Sequence, residues 1–174
     1  MKICVSKLNI FILYLYMTNL KVPKHYIPNK LSKKDKIKQK KELIKSRKLY
    51  KKGKYYKRKK VKSFKSKVSP HIVKARKMFK VNSIKADNTL SKATKCSKLG
   101  LKKIIKKGKG AYYSSGSRPN QTAESWGRAR LASAITGGPS SKVDYHLLRQ
   151  YCKKNSKSLK LAIIPTKYKL ININ

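Results

Sequence analysis

Acidic residues are nearly missing from this 174-residue chain: Asp35, Glu42, Asp87, Glu124 and Asp144 stand against 48 lysines and arginines, a formal charge of +43. Two-metal nucleases, polymerases and phosphatases hold their cations with clustered carboxylates, so this scarcity argues against metal-dependent catalysis. Glycine (8) and proline (6) are also few, while 39% of the residues are hydrophobic. A wholly disordered tail has the opposite balance, so one small folded domain with basic extensions is expected. The three cysteines, Cys4, Cys96 and Cys152, form no CxxC and indicate neither a disulfide scaffold nor a zinc ribbon. A reducing interior suits them. His146 and Cys152 are at most two of the four ligands that a structural zinc requires, so no metal and no cofactor is expected. Long hydrophobic runs are lacking too. The longest, Ile10 to Met17, falls short of the ~20 residues that span a bilayer, which leaves no membrane partner. With Lys2 and Lys7 before it, the run resembles the core of a signal peptide, but no small-x-small cleavage site precedes Lys21. A start at Met17 is the plainer reading, with residues 1–16 a non-functional or flexible leader and a protein that is not secreted.

What the chain has is positive charge. Self-repulsion on this scale opposes compaction unless a polyanion or salt screens it, so the expected partner is nucleic acid. Lysine outnumbers arginine 41 to 7. That bias is what an AT-rich coding sequence produces, and the placement of the charges therefore matters more than their sum.

Residues 17–60 form a basic arm; the stretch from Lys21 to Lys67 alone carries a net +20. Within it, Ser32 and Asp35 match a capping box, and Ile37, Leu43, Ile44 and Leu49 form a partial apolar stripe ending at Gly53. A helix over about 33–52 follows. Its lysine faces repel one another, so it is expected to order on binding phosphate. Tyr55, Tyr56 and Phe64 interleave aromatics with charge and either stack on bases or pack onto the core. Ser69-Pro70 starts a second helix, to about Lys80, with Ile72, Val73, Met78 and Phe79 buried. Residues 87–107 read as two short helices broken at Cys96-Ser97. Ser91, Lys95 and Leu101 sit at helix-turn-helix spacing, although Lys95 takes a turn position that is usually glycine. A plain helical hairpin is the alternative. In either case Lys98, Lys102 and Lys103 lie on the exposed side of the second helix.

Gly110 to Ser141 contains no lysine in 32 residues, where about seven or eight are expected from its frequency. The basic residues there are all arginine, Arg118, Arg128 and Arg130, whose planar guanidinium donates in pairs to phosphate or to a guanine edge. Ser114 to Ser117, Pro119, Asn120 and Gln121 form a polar loop leading to a helix capped by Thr122, and such a junction is a ready anion site. The alternative is a structural loop, with Asn120 bonding local backbone and Trp126 anchoring the core. The helix runs from about Ala123 to Ile135 and stops at Gly137-Gly138-Pro139. A closing helix over 143–151 buries Val143, Leu147, Leu148 and Tyr151.

The strings YSSGSRPNQTAESWGRARLASAITGGPSSKVDYHLL, LSKKDKIKQKKELIKSRKLYKKGKY and KSFKSK resemble an uncharacterised family of small basic proteins encoded by large DNA viruses and some phages. The resemblance covers roughly Met17 to Leu161. It implies a viral setting and brings no activity or catalytic residues.

Ser115 or Ser117 with Asp144 and His146 contains the ingredients of a nucleophilic triad, but no nucleophile elbow surrounds the serines. Arg118, Glu124 and His146 are a conceivable phosphodiester set; the expected answer is no enzyme. The expected fold is mostly α: a small helical domain over 61–152 with a lysine-rich helical arm before it and a loose basic tail over 153–174. The expected function is nucleic-acid binding, to DNA rather than RNA, in a virion or host-cell interior. Its candidate contacts are Lys98, Lys102, Lys103, Arg118, Asn120, Gln121, Arg128 and Arg130. Genome condensation in a virion core, or binding of an acidic viral structural protein, are the alternatives.

Overall fold

The computed structural model describes residues 22–170, with side chains to residue 163. The leader, its apolar run and the alternative start at Met17 lie outside the described residues, as does the end of the tail. The fold is mostly helical. After a single 3-10 turn (Lys24–Tyr26) come α1 (Lys33–Lys51), α2 (Pro70–Phe79), α3 (Asn88–Thr94), α4 (Lys98–Ser114), α5 (Ala123–Ile135), α6 (Pro139–Val143), α7 (Tyr145–Tyr151) and α8 (Lys157–Leu170). The only β pairing among the described residues is an isolated antiparallel bridge.

Two compact units divide the described residues: one holds those up to Ser66 together with Tyr113–Gln121, the other Lys67–Tyr112 together with those from Thr122 on. In the first unit, α1 starts where the sequence places it, with the Ser32 hydroxyl accepting from Asp35 N. Of the apolar stripe only Leu43 is fully buried, with Ile44 and Leu49 partly so. Ile37 is 59% exposed, whereas Asp35, Gln39, Glu42, Leu43 and Ser46 are buried. Recurring at intervals of three and four residues, these form one mainly polar helical face. Buried polar groups need partners, and each has one. Asp35 accepts from the Ser63 amide and hydroxyl (2.8 and 2.7 Å), Glu42 accepts from Lys59 N and the Tyr56 hydroxyl (2.7 and 3.2 Å), Gln39 donates to the Tyr26 and Ser117 carbonyls, and Ser46 to the Tyr113 carbonyl. The helix expected to wait for phosphate thus has its own chain as partner. Leu31, Leu43 and Val61 supply the buried hydrocarbon of this unit.

The second unit has an ordinary apolar core, which includes Ala75, Phe79, Ile84, Leu90, Leu101, Ile104, Leu131, Ile135, Leu148 and Leu159. Ser69-Pro70 starts α2 as read, but Val73 is exposed and Ala75 takes the buried position with Phe79. α5 is the central helix, buried from Leu131 to Ile135 and packed against α2, α6 and α8. Its amino end is a capping box: Ser125 N bonds the Thr122 hydroxyl and Thr122 N bonds the Ser125 hydroxyl. Gly127 and Gly108 let α5 and α4 approach backbone to backbone, since a Cβ on Gly108 would come within 2.6 Å of the Gly127 Cα. In the closing segment Leu147 and Leu148 are buried, while Val143 is exposed, because Asp144 separates α6 from α7. The tail expected to be loose forms α8, whose Leu159 and Ala162 enter the core.

The expectation of unpaired cysteines is also corrected. Cys96 and Cys152, 56 residues apart, form a disulfide. The α3–α4 turn runs antiparallel to the chain leaving α7, with Ser97 N bonded to the Tyr151 carbonyl and Lys153 N to the Lys95 carbonyl. No spacing rule foretells this, because the pairing depends on tertiary contact.

Candidate nucleic-acid interface

All five carboxylates are engaged inside the fold. Asp35 and Glu42 accept from neutral donors, as above, and Asp87 caps α3 by accepting from Leu90 N at 2.9 Å. Glu124 pairs with Lys109 and, at 3.2 Å, with Arg128; the Lys109 hydrogen bond is the leading influence that holds its carboxyl below the usual range. Asp144 has no exposed side-chain surface and accepts both prongs of the Arg130 guanidinium (2.7 and 2.8 Å) and the Lys107 ammonium (2.7 Å). Burial pushes the Asp144 carboxyl up, but Arg130 and Lys107 together outweigh it and leave the group below its ordinary range. The cations of these ion pairs are Lys107, Lys109, Arg128 and Arg130.

The arginines divide accordingly. Arg47 donates to the Ser115 carbonyl, and Arg58 donates to the Ser117 hydroxyl at 2.6 Å and to that of Ser46. With Arg128 and Arg130 paired to carboxylates, four of the seven arginines hold the fold. A guanidinium suits such sites because its fixed fork meets several acceptors at once. Arg130, a candidate phosphate contact, is paired with Asp144.

The loop over 113–121 shows the same division residue by residue. Gly116 adopts φ 103°, a conformation open to glycine, in a space where a Cβ would lie 2.7 Å from Leu43 Cδ2. Ser117 and Pro119 are buried. Asn120 sits in the left-handed region (φ 58°), where its side chain accepts from Val61 N at 2.8 Å and donates to the Val61 and Phe64 carbonyls at 3.0 and 2.6 Å. That amide completes the backbone pairing of the 61–64 segment and is occupied by it. Gln121 bonds the Ser66 hydroxyl. Between the two buried neighbours Arg118 is exposed, and its guanidinium makes no hydrogen bond or ion pair among the described residues; its carbonyl accepts from the Ser117 hydroxyl. A fixed loop thus presents a single guanidinium.

In the second unit, α3 and α4 meet in a tight turn. Lys95 takes the left-handed conformation (φ 55°) usually given to glycine, and Ser97 caps α4 by accepting from Gly100 N. Lys98, Lys102 and Lys103 are all exposed on α4; the turn residue Lys95 is exposed as well, as is Lys106, which was not singled out from sequence. Lys98, Lys102 and Lys106 recur every four residues and share one face. Lys103 is held: its ammonium lies over the Tyr151 ring, 4.7 Å from the centroid, and donates to the Tyr151 hydroxyl.

The triad ingredients are employed differently. Ser117 Oγ accepts from Arg58 and donates to the Arg118 carbonyl, and Asp144 is enclosed by its cations. Among the described residues no three His, Cys, Asp or Glu side chains gather as a metal site would require, and no helix is long and apolar enough to cross a membrane.

A family of unknown function, DUF5824, matches residues 23–155. The chain belongs to this family. No curated protein and no solved structure matches it.

Proposed function

We propose that the protein binds nucleic acid through exposed cations, without catalysis, and that its partner is DNA in a viral setting. The observation that carries this reading is the internal engagement of every carboxylate, which leaves the exposed lysines uncompensated. A surface of that kind attracts a polyphosphate by releasing its condensed counterions. Lys98, Lys102 and Lys106 on α4 provide a row of ammonium groups in one unit, and Arg118 provides a fixed guanidinium in the other. Phosphate contacts of this sort give affinity and orientation without reading bases. Genome condensation inside a particle uses the same contacts and is a special case of this reading.

The test replaces charges that hold nothing else. Lys98→Gln with Lys102→Gln is expected to weaken DNA binding equally across sequences and to reduce the salt slope by about two. An unchanged slope would remove α4 from the interface.

A further inference from the structure

At the carboxyl end of α1 three tyrosine rings meet. Tyr50 stacks on Tyr113 (centroids 5.9 Å apart, planes 14° from parallel), and Tyr55 stands edge-on to Tyr113 at 5.0 Å and lies 6.0 Å from Tyr50. A reversal of the chain brings Tyr55 there. Gly53 is left-handed (φ 72°) and donates to the Tyr50 carbonyl, and Lys54 N reaches back to the Leu49 carbonyl, a Schellman ending. Tyr50 and Tyr113 are partly buried, whereas Tyr55 is 74% exposed. A large aromatic side chain held in water by two others buries little of its own surface. Lys48, Lys51, Lys52, Lys54 and Lys57, all exposed, adjoin it in the chain. The neighbouring aromatics are unlike it: Tyr56 donates to Glu42 and lies beneath the Lys45 ammonium, and Phe64 is partly buried.

We propose that Tyr55, backed by Tyr50 and Tyr113 and flanked by lysines, is a stacking platform for a base of single-stranded nucleic acid. This rests on the nucleic-acid reading above and adds a preference for strand form. Every base has a flat face that stacks on a ring, so such a platform accepts any sequence. In a duplex those faces are covered by neighbouring base pairs, and only the phosphates remain accessible to the lysines. The two backing rings hold Tyr55 in place before binding, which lowers the entropy lost when a base settles on it.

Binding of the full chain to oligo(dT) of about 30 nucleotides and to a duplex of equal length, at one low salt concentration, tests this. Tyr55→Ala is expected to weaken oligo(dT) binding roughly 5- to 100-fold, with duplex affinity and thermal midpoint unchanged. Tyr55→Phe, which keeps the ring, is expected to retain wild-type affinity. If Tyr55→Ala leaves oligo(dT) affinity unchanged, or weakens both forms equally, the platform is overturned while nucleic-acid binding stands. If the wild-type protein binds neither form, both proposals fall.

Discussion

Asn120 shows how one side chain holds a segment with no regular secondary structure. Its amide supplies a donor and an acceptor to Val61, as a neighbouring strand would, and a second donor to Phe64. Removing it leaves partly buried backbone groups without partners and places alanine in a left-handed conformation. Asn120→Ala is therefore expected to destabilise the protein by about 3 kcal/mol, read from chemical denaturation. A change within about 0.5 kcal/mol, typical of surface substitutions, would show that the loop is not clasped in this way. The sequence marks this residue, because the lysine-free window stands out from the surrounding bias. It does not reveal the role: the contacts join residues 56 and 59 apart, and only the folded chain shows the amide turned inward toward backbone.

The helix starts were legible because their signals are local. Ser69 and Thr122 stand directly before α2 and α5, and Ser97 before α4, with Pro70 the first residue of α2. The buried faces were less legible. On α1 the apolar stripe suggested one face, but the polar residues Asp35, Gln39, Glu42 and Ser46 are turned inward because backbone from distant segments meets them there. The Cys96–Cys152 disulfide closes a loop of 56 residues between the α3–α4 turn and the end of α7. Cross-linking that separation restricts the unfolded chain by about 4 kcal/mol in the loop-entropy treatment. Reductant is expected to lower the thermal midpoint, and Cys96→Ser with Cys152→Ser to start at the lowered value and not respond further. Equal midpoints for oxidised and reduced protein would contradict the pairing.

For the molecule as a whole, the five acids and the many bases do different work. Asp35, Glu124 and Asp144 all have carboxyl groups held below their ordinary range, Asp35 first by hydrogen bonds from Ser63. An unfolded chain protonates these groups near pH 4, whereas the native state keeps them ionised to lower pH. Their contribution to stability is therefore present above about pH 4 and is lost as pH falls through the native values. Acid unfolding followed by circular dichroism should show this, and stability constant from pH 5 to 2 would contradict it. The lysines have no such internal role on most of the described surface. Composition alone overstated their meaning in number and understated it in kind, since the acids that might have neutralised them are already bonded to partners within the chain.

The most direct measurement of the central claim is the affinity of the full-length chain for DNA between 50 and 200 mM salt. Uncompensated cations meeting phosphate predict tight binding at the lower concentration and a fall of about 10³-fold or more at the higher one, the same for every sequence tried. No binding at 50 mM, or an affinity that salt leaves unchanged, would contradict the account.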